Sequence, residues 1–163
     1  MTRNAPLTLT VNGREVSRTI PPQMLLVEFL REELRLTGPH VGCDTTQCGC
    51  CAVHLDGQVV KACTVLAMQA QGHVVQTIEG MAGATLHPMQ QAFIDHHALQ
   101  CGYCTPGMIM TCIAVARDHA PLTEAEARRQ LEGNICRCTG YNNIVAALLD
   151  GQARMQGGDD VSV

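Results

Sequence analysis

One cysteine-rich stretch, Gly42-Cys-Asp-Thr-Thr-Gln-Cys-Gly-Cys-Cys51, decides how the fold of this chain is predicted. Its cysteines at positions 43, 48 and 51 follow the spacing C-x4-C-x2-C, and another cysteine lies at position 63. The same spacing occurs in the ligand loops of plant-type [2Fe–2S] centres. The first half of the chain is therefore predicted to hold one such cluster through Cys43, Cys48, Cys51 and Cys63.

The fourth cysteine of this set is assigned by the geometry of a predicted hairpin. Two short strands, 52–55 and 58–62, flank Asp56-Gly57, a dipeptide typical of two-residue hairpin turns. In that register residue 55 pairs with residue 58, and residue 51 pairs with residue 62. The hairpin therefore returns Cys63 to the neighbourhood of Cys51. The loop itself contains Gly42 and Gly49, which allow its backbone to pass close to the cluster.

A structural zinc site is the alternative for the same four cysteines. Four thiolates also bind Zn²⁺, although a gap of four residues is less usual there than a gap of two. Cys50 is left over, because neighbouring residues at the start of a strand point to opposite faces. It is expected to be a small buried residue rather than a ligand.

A second group of cysteines lies in the other half of the chain, as Cys101-Gly-Tyr-Cys104 and Cys136-Arg-Cys138. Two helices are predicted between the pairs, and their antiparallel return brings Cys136 beside Cys104. Each pair also precedes a predicted helix, whose free N-terminal N–H groups favour an anionic cluster. A second [2Fe–2S] cluster is predicted on Cys101, Cys104, Cys136 and Cys138.

This second spacing leaves two alternatives open when it is considered alone. A zinc site would use the same four thiolates, and C-x-x-C could also be a redox-active dithiol. Cys112 is not a candidate, because it lies well inside a predicted helix on the same face as Met108 and Val115. It is expected to pack in the core.

The remaining patterns predict an α+β chain with two small domains. A hairpin at Asn12-Gly13 joins the first two strands. The predicted strands are 7–11, 14–20 and 73–78, and the predicted helices are 23–34, 86–99, 106–118, 123–132 and 141–155. Thr105 and Pro106 are predicted as N-cap and first residue of one helix, and Thr123 with Glu126 as a capping box. The predicted domains are 1–78 and 86–155, with a linker at 79–85 and a frayed tail at 156–163.

Composition excludes several classes of function. The chain has 163 residues, 11 Lys+Arg and 15 Asp+Glu, for a formal charge of −4. Two oxidised clusters would bring it to about −8, which does not suit nucleic-acid binding. No transmembrane run or signal-peptide core is found, so a cytoplasmic location is expected. No nucleotide-binding motif or catalytic set of residues can be assembled. The chain is therefore expected to carry electrons without making or breaking substrate bonds itself, while a two-site zinc scaffold and an independent ferredoxin remain as alternatives.

Two motifs make the chain resemble the iron–sulfur subunits of the molybdenum hydroxylase (xanthine oxidase) family. One is His40-Val-Gly-Cys-Asp-Thr-Thr-Gln-Cys-Gly-Cys-Cys51. The other combines Gln100-Cys-Gly-Tyr-Cys-Thr-Pro-Gly-Met108 with Gly133-Asn-Ile-Cys-Arg-Cys-Thr-Gly-Tyr141. The Cys-Asp-Thr-Thr-Gln-Cys loop and Ile78-Glu-Gly-Met81 are most similar to the small subunit of aerobic carbon monoxide dehydrogenase.

The resemblance implies a specific architecture and a specific set of partners. It implies a β-grasp ferredoxin domain followed by a four-helix bundle domain. Gln100 and Cys138 would contact molybdopterin cytosine dinucleotide in a large subunit, and the first cluster would lie near FAD in a medium subunit. It further implies a dimer of heterotrimers, free in the cytoplasm or peripheral at the inner membrane face. In carbon monoxide dehydrogenase, CO and water give CO₂, two protons and two electrons.

Overall fold

The computed structural model describes residues 4–157, and its first half contains one mixed β-sheet. The strand order is β2-β1-β5-β3-β4, with β5 parallel to β1 and the other neighbours antiparallel. The strands are β1 (Ala5–Val11), β2 (Arg14–Ile20), β3 (Ala52–Leu55), β4 (Gln58–Lys61) and β5 (Val74–Gln76). This sheet and the helix packed on it form the predicted β-grasp half.

Both predicted hairpins are confirmed. Asn12 and Gly13 adopt positive φ angles of 48° and 76°, as a tight turn between β1 and β2 requires. In β1 the alternate residues Leu7, Leu9 and Val11 are buried, while the residues between them are partly exposed. The sheet therefore has one face against the core of the first half.

The helix predicted at 23–34 is shorter than expected. Helix α1 (Leu26–Glu28) continues into a π-helical turn, Phe29–Glu33, which closes with a bond from Leu34 N–H to the Phe29 carbonyl. The preceding residues are drawn away, because Leu25 forms a β-bridge with Leu66. Long-range pairing has overridden the helical periodicity there. Four apolar residues of this segment are nevertheless buried in the core of the first half: Leu26, Val27, Phe29 and Leu30.

The second half is the predicted four-helix bundle. Its helices are α2 (Pro88–Asp95), α3 (Thr105–Asp118), α4 (Glu124–Gln130) and α5 (Asn142–Gly157). Helix α3 is central, since ten consecutive residues from Gly107 to Ala116 are buried. The predicted tail begins inside α5, which extends to Gly157, and the remainder of that tail lies outside the described residues.

Helix starts agree with the sequence in one case and differ in another. The Thr123–Glu126 capping box is confirmed: the Glu126 carboxylate accepts the Thr123 N–H at 2.8 Å. The prediction for α3 is wrong, because Cys104 is the N-cap and Thr105 is the first helical residue. Among the described residues, the buried Thr105 hydroxyl has no hydrogen-bond partner. The backbone before α3 is already helical at Cys104, so it does not offer the extended N-cap geometry that Thr105 needed.

The two halves pack directly on each other through β3 and α3. His54 of β3 is buried, and its Nε2–H donates to the Met110 carbonyl of α3 at 2.8 Å. Gly107, in the first turn of α3, has no space for a side chain against the backbone of Gly49 and Cys50. The cysteine loop of the first half is therefore held against the start of α3. None of the helices within residues 4–157 is both long and apolar enough to cross a membrane.

Candidate metal centres

The first cysteine loop donates hydrogen bonds from its backbone to one of its own thiols. Cys43 is partly exposed, whereas Cys48 is buried. The Cys43 sulfur accepts the backbone N–H groups of Thr45 and Cys48, both at 3.4 Å. The Thr45 side chain, followed by these amides, lowers the pKa of Cys43 to about 6. The loop thus favours the thiolate, which is the form that binds metal.

The predicted return of Cys63 to Cys51 is confirmed. In the β3–β4 hairpin, Leu55 pairs with Gln58 and Ala52 with Lys61. The N–H of Ala62 then donates to the carbonyl of Cys51 at 3.2 Å. This brings Cys63 beside Cys51, and burial raises the pKa of Cys51 to about 12. A metal must displace the proton from that thiol, so binding here is coupled to proton release.

Two glycines keep the first loop tight. A Cβ at Gly42 would lie 2.9 Å from the Cys48 sulfur, which is closer than such atoms approach. Gly49 has a φ of 74°, and a Cβ there would lie 2.5 Å from the Asn134 side-chain nitrogen. Only glycine fits at both positions. The loop is shaped to bring backbone close to sulfur, as an iron–sulfur cluster requires.

The second cysteine group meets as predicted, at the starts of α3 and α5. The sulfurs of Cys101 and Cys138 are 3.6 Å apart, and both residues are exposed. Cys104 and Cys136 are in contact deeper in the structure. Burial and then the neighbouring Cys136 raise the pKa of Cys104 to about 12. At Cys136 burial acts in the same direction, but hydrogen bonds outweigh it and lower its pKa, the largest from the Thr139 hydroxyl at 3.2 Å.

The eight thiols therefore meet as four pairs, two in each half. The pairs are Cys43 with Cys48, Cys51 with Cys63, Cys101 with Cys138, and Cys104 with Cys136. A [2Fe–2S] cluster has two irons and takes four thiolates in total, so two pairs of thiols suit one cluster. Within residues 4–157, no three His, Cys, Asp or Glu side chains form a group that could hold a single metal ion.

The two remaining cysteines are buried, as expected. The Cys50 thiol points toward the Cys48 carbonyl at 4.0 Å, and it neighbours Cys104 of the second group. Cys112 lies in the middle of α3, where complete burial raises the pKa of its thiol strongly. Within the described part of the chain, Cys112 has no thiol neighbour, whereas the Cys50 side chain also contacts Cys48, a proposed ligand of the first cluster.

Sequence reasoning missed an aromatic contact that joins the two cysteine loops. The rings of His40 and Tyr103 are stacked with centroids 4.5 Å apart. The Tyr103 hydroxyl donates to the Val41 carbonyl at 2.8 Å, and His40 Nδ1 lies 2.7 Å from the Tyr103 carbonyl. Tyr103 stands between Cys101 and Cys104, and His40 precedes the first loop. The only signal in the sequence was that each residue lies within a cysteine motif.

Comparison with known proteins identifies both halves. The 2Fe-2S iron-sulfur cluster binding domain family matches residues 9–77, and the [2Fe-2S] binding domain family matches residues 77–149. The caffeine dehydrogenase subunit gamma of Pseudomonas sp. (strain CBB1) is 47% identical over 146 residues, which cover 87% of each chain. The chain belongs to the molybdenum hydroxylase family, among its iron–sulfur subunits. As such a subunit it serves in electron transfer within an oxidoreductase complex.

Two further relatives support the same molybdenum hydroxylase assignment. The aldehyde oxidoreductase iron-sulfur-binding subunit PaoA of Escherichia coli (strain K12) is 44% identical over 161 residues, which cover 89% of this subunit and 70% of PaoA. In a crystal structure of quinoline 2-oxidoreductase from Pseudomonas putida 86, one chain matches with a TM-score of 0.90 and 37% identity. That match covers 94% of this subunit and 96% of the other chain. These matches favour iron–sulfur chemistry over the zinc alternative.

The second cysteine site of the subunit opens on an exposed surface. Gln100 is exposed beside Cys101, and Cys138 is exposed next to it. The large apolar side chains of Leu99 and Tyr103 are exposed on either side of this motif. Exposed apolar residues around a candidate redox centre suit contact with another chain.

Proposed function

We propose that this subunit passes single electrons from a molybdenum centre in a large subunit to FAD in a medium subunit. The observation that supports this most strongly is the arrangement of eight thiols as two sites, one open at the surface and one mostly enclosed. The ligand-bearing loops of the two sites also touch, through a 2.8 Å hydrogen bond between Ile135 and Cys48. A chain with these features can relay charge from one face to another.

The proposed ligands of the two clusters are the four thiols of each half. They are Cys43, Cys48, Cys51 and Cys63 for the first, and Cys101, Cys104, Cys136 and Cys138 for the second. Each cluster, when bound, accepts and releases one electron. The chain holds this negative charge with loop amides at Cys43 and with the N-terminus of α3, where Cys104 is the N-cap. The proposed domain limits remain 1–78 and 86–155.

The proposed partners follow from what each site exposes. The open second site would face the large subunit, with Gln100 and Cys138 contacting molybdopterin cytosine dinucleotide. The first loop is exposed from Asp44 to Gln47 and would face the FAD subunit. A dimer of heterotrimers, either in the cytoplasm or peripheral at the inner membrane face, completes the proposal.

Two substrate classes are candidates for the complex. The resemblance of the Cys43–Cys48 loop and Ile78–Met81 to carbon monoxide dehydrogenase supports oxidation of CO with water. The names of the relatives instead favour an N-heterocycle or an aldehyde, since they include a caffeine dehydrogenase, a quinoline oxidoreductase and an aldehyde oxidoreductase. In both cases the substrate would bind another subunit, and this chain would receive the same electrons.

The test is to purify the complex without oxygen and reduce it with one substrate at a time. We expect about four irons and four acid-labile sulfides per copy of this chain, and two distinct EPR signals after reduction. Zinc without sulfide would overturn the proposal, and so would a stable, lone subunit in place of a complex with molybdenum and flavin. Bleaching by CO alone would support the first substrate class, and bleaching by quinoline, caffeine or benzaldehyde the second. Bleaching by dithionite but by none of these would overturn both substrate assignments.

A further inference from the structure

The single lysine of the chain connects the two cluster-binding loops. Lys61 is the last residue of β4, and its ammonium donates to the Gly133 carbonyl at 2.7 Å. Lys61 lies two residues before Cys63, and Gly133 lies three residues before Cys136. The side chain therefore reaches from beside one proposed cluster to the loop that carries ligands of the other.

The segment that Lys61 holds is joined to the first half at three consecutive residues. Beyond Gly133, the buried Asn134 directs its side-chain amide toward the carbonyls of Gly49 and Gly107, each at 3.4 Å. Ile135 then donates its N–H to the Cys48 carbonyl at 2.8 Å. Gly133 also lies against the first cysteine loop, because a Cβ atom added at Gly49 would be only 2.6 Å from the Gly133 carbonyl oxygen. Residues 133–135 thus fix how far apart the two sites lie.

The charge of Lys61 is not neutralised nearby. Among residues 4–157, no carboxylate lies within ion-pairing distance of its ammonium. The side chain is partly buried, so its charge is screened by water less than that of a fully exposed lysine. Each proposed cluster carries negative charge, and reduction adds one more unit. A cation beside the segments that carry their ligands stabilises the reduced forms and raises the potentials.

We propose that Lys61 is a positioning residue for electron transfer, which fixes residues 133–135 on the first-cluster loop and holds a positive charge beside the segments that carry ligands of the two clusters. This inference rests on the proposed function, because it requires both clusters. It explains why the only lysine of the chain is placed at the end of β4, pointing at a backbone carbonyl and not at an acidic side chain.

The test compares redox titrations of the intact complex carrying Lys61→Met with those of the unaltered complex. We expect full iron content, but at a fixed potential the ratio of reduced to oxidised cluster should be three- to tenfold lower. For a one-electron centre this corresponds to a midpoint potential lowered by about 28 to 59 mV. We also expect a weaker magnetic interaction between the two reduced clusters, because Gly133 loses one of the hydrogen bonds that hold residues 133–135 in place. Lys61→Arg should restore the potentials, since it keeps both the charge and the donor.

The matched control is Arg18→Met, which removes an exposed cation from β2 at the opposite edge of the sheet. Potentials in Lys61→Met that match those of Arg18→Met would overturn the inference.

If Lys61→Met loses iron, Lys61→Gln takes its place, because it keeps a hydrogen-bond donor without the charge. Unchanged potentials in Lys61→Gln, or loss of iron in the neutral variants and in Lys61→Arg alike, would also overturn it. An unaltered complex without two reducible clusters would instead defeat the proposed function itself.

Discussion

The backbone N–H of Ile135 donates a 2.8 Å hydrogen bond to the carbonyl oxygen of Cys48. Cys48 is a proposed ligand of the first cluster, and Ile135 is bonded directly to Cys136, a proposed ligand of the second. The two sites are therefore joined by one hydrogen bond and a short stretch of covalent backbone. Electrons cross such bonded routes more readily than open space, so the packing of the two loops bears directly on function.

Gly107→Ala tests that packing. A methyl group at Gly107 would collide with the Gly49 carbonyl and approach the Cys50 backbone to 3.0 Å, and neither atom belongs to a flexible side chain. We expect the free energy of unfolding to fall by about 1–3 kcal/mol, as for other overpacked cores. Thermal or denaturant unfolding measures it. Gly83→Ala is the control, since among the described residues no atom lies within 4 Å of its Cβ position. Equal stability of the two variants would contradict the close approach of α3 to the first cysteine loop.

Cys101→Ser tests the assignment of the second set of ligands. Removing one thiol of the exposed pair should reduce the iron content from about four to about two per chain. It should also weaken the helical half, because metal binding and folding are coupled. The control is Cys112→Ala, which should keep both clusters, since Cys112 is enclosed in α3 away from the other thiols. Iron analysis and EPR measure both outcomes, and loss of a cluster from Cys112→Ala would show the ligand set to be wrong.

His54 should make the contact between the two halves sensitive to acid. Burial lowers the pKa of His54 below its ordinary value of 6.5, and it lowers that of the nearby His87 as well. The unfolded chain therefore binds more protons than the folded chain as the pH drops below about 6.5, so stability falls with pH in that range. Urea unfolding between pH 7.5 and 5 measures this dependence.

His54→Gln should reduce that pH dependence, since glutamine does not titrate, and the contribution of His87 should remain. His119→Gln, which replaces an exposed histidine just after α3, is the comparison variant. A slope that is the same in His54→Gln as in the unaltered chain would show that His54 does not make folding sensitive to acid.

Gln152→Leu tests the polar contact that closes the bundle. The buried Gln152 side chain accepts the Leu122 N–H at 3.0 Å and donates to carbonyls at the end of α3, including those of His119 and Ala120 at 3.2 Å. Leucine would leave these buried groups without partners, at a cost of about 1–3 kcal/mol in the free energy of unfolding. Gln156→Leu, at an exposed position of the same helix, should change stability by less than about 0.5 kcal/mol. A comparable loss in both variants would contradict the role of Gln152.

Local patterns in the sequence determined much of this structure. Asp56-Gly57 fixed the register that returns Cys63 to Cys51, because a two-residue turn leaves only one pairing of its strands. The cysteine spacings predicted which thiols would gather, and the structure brings those eight together as pairs. Apolar periodicity located four helices of the second half, since each must bury one face.

Tertiary structure alone decided the features that depend on distant contacts. Pairing of Leu25 with Leu66 shortened α1, and the approach of Gly107 to Gly49 set the distance between the halves. No pattern in the sequence predicted the hydrogen-bond partner of Lys61 or of Ile135. A backbone carbonyl accepts a hydrogen bond from any donor that comes close enough, so such a bond has no sequence signature. Periodicity and spacing record how neighbouring residues fold, whereas the meeting of two loops is fixed only when both halves bury their surfaces together.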